Sequence, residues 1–211
     1  VMLQAFCRPN IVLLGLPLST ALFGPENIGH IAFMLAVLVP LINILAVLAL
    51  ELFRGGTPNP KRILLGVAKN PFVLGAVAGF LCKLLQIQLP YVLDSVISSM
   101  AEAATPLALV LMGTSMNFGK LQGCGRSLSV CTVVRLFAAP VVFLSLAVAL
   151  GFRGVPLCGV MLVFATPVAV NSYTMALQMD GDADLAGGIV LLTTGLSCLT
   201  LFLWIFLLKA L

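Results

Sequence analysis

Two stretches of this sequence put hydrogen-bonding groups where a membrane span ordinarily carries only leucine or valine. The first is RPNIVLLGLPLSTALFG, with Arg8, Pro9, Asn10, Gly15 and Pro17. The second is FATPVAVNSYTMALQ, with Thr166, Pro167, Asn171, Ser172, Tyr173 and Thr174. Proline has no N–H to donate and crowds the preceding turn. An apolar helix containing one therefore leaves carbonyls in need of partners that hydrocarbon does not offer. Such a span either kinks or opens where its backbone borders a polar cavity. In an opened span the free N–H groups and positive dipole end of the second half favour an anion, and an Asn adds neutral hydrogen bonds suited to a carboxylate. Asn10 and Asn171 fit that role; the other reading is that they satisfy carbonyls freed by the prolines beside them. Because Pro followed closely by Asn occurs in both segments, the two spans are expected to cross. Pro9, Asn10, Pro167, Asn171 and Ser172 form the candidate substrate-contact set. Asn43, a lone amide three residues after Pro40, joins them, either facing the cavity or tying two helices together.

Two ionisable residues inside apolar runs are candidates for proton or ion coupling. Glu102 shares a helical face with Ser95, Ser98, Ser99 and Thr105 at spacings of three and four. A carboxylate near the bilayer centre costs about 2.5–3.5 kcal/mol on insertion scales and often marks an ion or proton route. A structural acid bonded to those hydroxyls is the alternative. Arg135, about two turns into its helix, is costly unless paired or snorkelling, and a structural ion pair is the leading expectation for it. Arg8 either draws anions toward the first break or marks topology. Other chemistry fails on spacing. GTSMNFGKL has five residues between its glycines and Leu121 after Lys120, so it is no phosphate loop. Asp180, Asp182 and Asp184 begin like a calcium loop, but Leu185 and Leu191 stand where Gly and the bidentate Glu belong. His30 stands alone, and the six cysteines include no C-x-x-C pair, so neither a metal site nor a cofactor is expected.

The elements that must hold these residues follow from composition. In 211 residues, 61% are hydrophobic and 9% charged, too few polar side chains to clothe a soluble globule. The chain lives in a bilayer. A span takes about 20 apolar residues, so no large extramembrane catalytic domain fits. A net charge of +4 with dispersed Lys and Arg argues against nucleic acid as a partner.

Pro, Gly and charge clusters cut the chain into seven apolar segments at about 3–24, 28–53, 60–87, 89–116, 127–150, 154–178 and 184–209. None alternates with period two as a barrel strand would. The expected class is an all-α membrane protein, a single transmembrane transporter domain over residues 1–211, with short connections. If the first helix enters from the cytoplasm, Arg54, Lys61, Arg62, Lys120 and Arg126 collect on the inside against Lys83, Arg153 and Lys209 outside, a modest positive-inside bias that leaves the C-terminus outside. The two interrupted segments stand five helices apart. Transporters built from inverted five-helix repeats carry broken helices at equivalent positions and bind substrate where they cross. That arithmetic predicts a ten-helix fold of which seven helices are present, with three expected before residue 1.

The residues also resemble a known family. RPNIVLLGLPL is similar to the fourth-helix motif of the auxin efflux carrier family, in which Pro-Asn precedes a G-[IL]-P-L run. AEAATPLALVLMGTSM resembles its seventh helix, VVRLFAAPVV its eighth, and FATPVAVNSYTMALQMDGDADLAGGIVLLTT its ninth and tenth. The family includes plant PIN carriers and bacterial proteins proposed to carry malonate or similar acids; the short connection near residues 54–62 matches the bacterial, short-loop type. The resemblance implies two inverted five-helix repeats with Pro9 and Pro167 as crossover prolines, Asn10 facing an anionic substrate, and an Arg at position 135. It also implies that the family's second and third helices contribute to its site.

These readings converge on a secondary carrier, not an enzyme, that moves a small organic anion such as a carboxylate by alternating access. Membrane potential or a gradient of protons or sodium would drive it. The lipid bilayer is its other partner, a homodimer is compatible, and the expected location is the plasma or bacterial inner membrane. The competing class is a seven-helix receptor or other non-transport membrane protein. Its retinal form needs a buried Lys in the last helix, where only Lys209 stands at the end.

Overall fold

The computed structural model describes residues 1–24, 28–52, 65, 68–69, 71–115 and 124–210. Arg54, Lys61, Arg62 and Lys120, on which much of the expected charge bias rests, lie outside the described residues. The described chain is helical, with no strand beyond one isolated bridge. In order the helices are α1 (Met2–Cys7), α2 (Leu16–Phe23), α3 (Ile28–Leu52), α4 (Pro71–Leu84), α5 (Tyr91–Ser115), α6 (Gly125–Val133), α7 (Ala139–Ala149), α8 (Gly154–Ala165), α9 (Asn171–Gln178) and α10 (Ala183–Ala210). A single π-turn, Ile11–Gly15, leads into α2, and another, Val134–Ala138, joins α6 to α7.

Among the described residues, three apolar stretches, Gly29–Leu50, Gly125–Ala149 and Ala183–Lys209, are long enough to cross a membrane without a break. The segments expected at about 3–24 and 154–178 are each split, as α1 with α2 and as α8 with α9. Both splits have a local cause. A residue preceding proline is pushed out of the helical region into an extended one, and Arg8 (φ −113°, ψ 85°) and Thr166 (φ −71°, ψ 150°) both adopt it.

The two π-turns share a cause as well. Pro17 and Pro140 each follow the end of a π-turn by two residues, and widening the turn relieves the clash between a proline ring and the carbonyl four residues back. Gly15 closes the first turn against its own helix: a Cβ there would lie 2.7 Å from Ile11 Cγ2, closer than real side chains come. Pro140 also removes the N–H that the Leu136 carbonyl would accept, and the indole Nε1 of Trp204 on α10 donates to that carbonyl at 3.0 Å. This bond ties α10 to the middle of the span that carries Arg135.

The core is distributed around the two splits. One buried cluster joins Ala5, Cys131, Val168, Tyr173 and Ile189; another joins Ile11, Ile31, Met161, Leu162 and Trp204. A third packs Ala46 and Val47 of α3 on Met175 of α9 and on Met179, which follows it. Outward faces are apolar and bare, with Phe33 and Phe202 each 75% exposed, as expected of surfaces that meet lipid rather than water. The α9–α10 turn is polar and well terminated. Asp180 takes a positive φ of 54°, the Gly181 N–H donates back to the Ala176 carbonyl at 2.7 Å, and Asp182 Oδ1 accepts from the Leu185 N–H at 2.9 Å as the cap of α10. The aspartate run is therefore a pair of helix ends.

Candidate functional site: the crossing of two interrupted spans

The two splits meet. Pro9 and Val168 form an antiparallel bridge, in which the Asn10 N–H donates to the Pro167 carbonyl at 2.9 Å and the Ala169 N–H donates to the Arg8 carbonyl at 3.0 Å. Two segments that gave up helical hydrogen bonds at their prolines thus exchange a pair with each other. The Val168 N–H, between them, is taken by Thr193 Oγ1 of α10 at 3.2 Å. Apart from Thr193, the residues that exchange these bonds are the non-helical ones at the two breaks, so the arrangement satisfies backbone that lipid could not.

Four helix ends converge here. The carbonyl ends of α1 and α8 face one side; the N–H ends of the first π-turn and of α9 face the other. Behind the carbonyl ends lies Arg135, 1% exposed. Its Nε donates to the Thr166 carbonyl at 2.9 Å, its Nη1 to the Phe6 carbonyl at 3.0 Å and its Nη2 to the Val163 carbonyl at 2.7 Å. Thr166 Oγ1 donates to the Leu162 carbonyl at 2.7 Å. The ion pair expected for Arg135 gives way to three main-chain acceptors, because the carbonyls released by the two splits are the nearest negative poles.

On the opposite side a cavity of about 660 Å³ opens. Pro9, Asn10, Asn43, Asn171 and Glu102 of the expected set all line it, together with Arg8 and an apolar wall that includes Val12, Val39, Ile42 and Pro106. Asn10 is 7% exposed, and its Nδ2 has no hydrogen-bond partner among the described residues. Arg8, 2% exposed, donates through Nη2 to Asn43 Oδ1 at 2.7 Å and through Nη1 to the Asn171 carbonyl at 3.3 Å and Met175 Sδ at 3.2 Å. Asn43 therefore faces the cavity and also ties α3 to the first split. Gln4 Nε2 donates to the same thioether at 3.4 Å. Glu102 is exposed on the α5 side of the cavity.

Three expected residues lie outside the lining, Arg135 being the one behind the carbonyl ends. Pro167 contributes its carbonyl to the bridge, whereas Ser172 is buried with its Oγ unpartnered among the described residues. Consecutive helical side chains point about 100° apart, so Asn171 and Ser172 cannot face the same way. That spacing was the available signal. Arg8 is the residue that sequence reasoning underweighted. It is buried in the crossing itself, and its position immediately before the breaking proline was the clue.

The sequence is similar to known membrane transporters. An uncharacterized transporter of Methanothermobacter thermautotrophicus is 24% identical over 197 residues, covering 92% of this chain and 63% of the relative. The chain thus spans less than two thirds of that relative's length. A family model described as Membrane transport protein matches residues 2–205, a range that contains both splits and all the described helices but for the last few residues of α10. The chain belongs to this family, the membrane transporters of the auxin efflux carrier type, and is an integral membrane protein.

Proposed function

We propose that the protein is a secondary carrier that binds a small organic anion, such as a carboxylate, at the crossing and exposes it to each side of the membrane in turn. One observation carries the reading: a buried amide donor, Asn10 Nδ2, lacks a partner among the described residues and lines a cavity that also holds a buried guanidinium. A buried donor left unsatisfied costs about 1–3 kcal/mol, which an incoming acceptor would recover. A carboxylate fits best, since Asn10 and Asn171 carry amide donors and the Arg8 charge and the two N–H helix ends add positive potential. The apolar wall leaves room for the carbon skeleton of the acid. Without a nucleotide-binding motif in the sequence, energy comes from the membrane potential or an ion gradient. Glu102, across the same cavity, is the group suited to carry a coupled proton.

The test is thermal stabilisation of the purified protein in lipid nanodiscs by a panel of small mono- and dicarboxylates, repeated with Asn10→Ala. Saturating ligand raises stability by RT ln(1 + [L]/Kd), about 2.7 kcal/mol at a hundredfold excess over Kd. At least one acid is expected to stabilise the parent and to lose most of that effect in the variant. If no acid stabilises the parent, the anion reading falls.

A further inference from the structure

We infer that Arg135 is the positioning residue of the crossing: it clamps the two carbonyl ends from behind and so leaves the N–H ends, together with Arg8, to set the potential in the cavity. The four helix ends that meet here would otherwise oppose one another, since each carbonyl end carries roughly half a negative charge and each N–H end roughly half a positive one. A single guanidinium offsets both carbonyl ends. Its planar fork matches the task, because Nε, Nη1 and Nη2 reach three different carbonyls, one on α1, one on α8 and one on the extended residue before Pro167. A lysine has the charge but only one nitrogen at the end of its stem.

The clamp also holds the geometry of the bridge. The Thr166 carbonyl that accepts from Nε belongs to the peptide entering Pro167, whose own carbonyl accepts from the Asn10 N–H. Phe6 lies two residues before Arg8, whose carbonyl accepts from the Ala169 N–H. Both sides of the bridge are therefore fixed through Arg135, although Arg135 itself does not line the cavity. The π-turn that contains it, Val134–Ala138, adds a residue to that turn and so re-aims the side chain at the crossing.

The test compares the parent with Arg135→Gln and Arg135→Lys in lipid nanodiscs. Amide hydrogen exchange is followed in peptides covering residues 8–12 and 166–171, with central α10 as the control. Loss of a bond worth about 1.4 kcal/mol corresponds to a tenfold change, so Arg135→Gln is expected to speed exchange at the Asn10 and Ala169 amides about tenfold while α10 is unchanged. Arg135→Lys is expected between the two. Crossing amides as protected as in the parent, or a rise shared equally by α10, would overturn the assignment. A second readout rests on the carrier reading: malonate uptake into proteoliposomes, normalised to inserted protein, should show KM raised about fivefold or more in Arg135→Gln, as weakened anion contact predicts. A KM equal to the parent's would count against the field argument. If the parent carries no malonate, the carrier reading loses that substrate and the exchange contrast alone decides the role of Arg135.

Discussion

Trp204→Phe isolates one hydrogen bond whose purpose the structure makes explicit. Pro140 cannot donate to the Leu136 carbonyl, and the Trp204 indole does so at 3.0 Å, with Leu136 fully buried and Trp204 7% exposed. Phenylalanine keeps an aromatic ring in the cluster of Ile11, Met161 and Leu162 but leaves the carbonyl without its donor. A buried acceptor stripped of its partner costs about 1–3 kcal/mol in soluble proteins, while hydrogen bonds measured between membrane helices are worth about 0.6–1.7 kcal/mol. The expected loss is therefore about 1–2 kcal/mol, read by reversible unfolding in mixed micelles on titration with SDS. A double-mutant cycle with Pro140→Ala removes the contribution of lost ring area. Alanine restores an N–H four residues after Leu136, so in that background the carbonyl has a second donor and Trp204→Phe should cost about 1 kcal/mol less. Distant, independent sites add within about 0.3–0.5 kcal/mol; a cycle whose two legs agree that closely would refute the claim that Trp204 compensates for the proline.

Arg8→Leu removes the guanidinium from the cavity and leaves Asn43 Oδ1 without its 2.7 Å donor. A hydrogen bond to a charged group is worth about 1.5–3 kcal/mol, so KM for carboxylate uptake is expected to rise by about one to two orders of magnitude in protein that still inserts. Glu102→Gln keeps the shape of the cavity wall but cannot exchange a proton; uptake should persist and lose its dependence on external pH, which parallel assays at acidic and neutral pH would show. Asp182→Ala deletes the cap that accepts from the Leu185 N–H. It should cost about 0.5–2 kcal/mol in the same SDS titration while leaving KM unchanged.

The splits at Pro9 and Pro167 were legible because their cause is local: the missing N–H and the extended residue before each proline are written in adjacent letters. Their meeting was legible from the repeated Pro and Asn pattern and its five-helix spacing. Side-chain partners were not. Arg8 reads as a charge near a helix start, and only the folded chain brings Asn43, Asn171 and Met175 to it, at separations of 35 to 167 residues. Arg135 read as one half of an ion pair because a sequence names carboxylates and hides carbonyls; the three groups that receive it belong to Phe6, Val163 and Thr166, whose residue types give no hint of it. The π-turns were not legible either: Pro17 and Pro140 follow them, but Pro40 and Pro106 sit inside regular helices without one.

Arg8 donates to a carbonyl 163 residues further along the chain, and the bridge beside it has a similar span. During synthesis the first interrupted helix must therefore enter the bilayer long before its counterpart exists. At about 5–20 residues per second, that interval is on the order of ten seconds, during which the Asn10 N–H lacks its Pro167 acceptor and the Arg8 guanidinium lacks its contacts to α9. A nascent chain in this condition needs shelter at the insertion machinery or contact with hydrated headgroups, and its biogenesis should slow when translation pauses between the two halves.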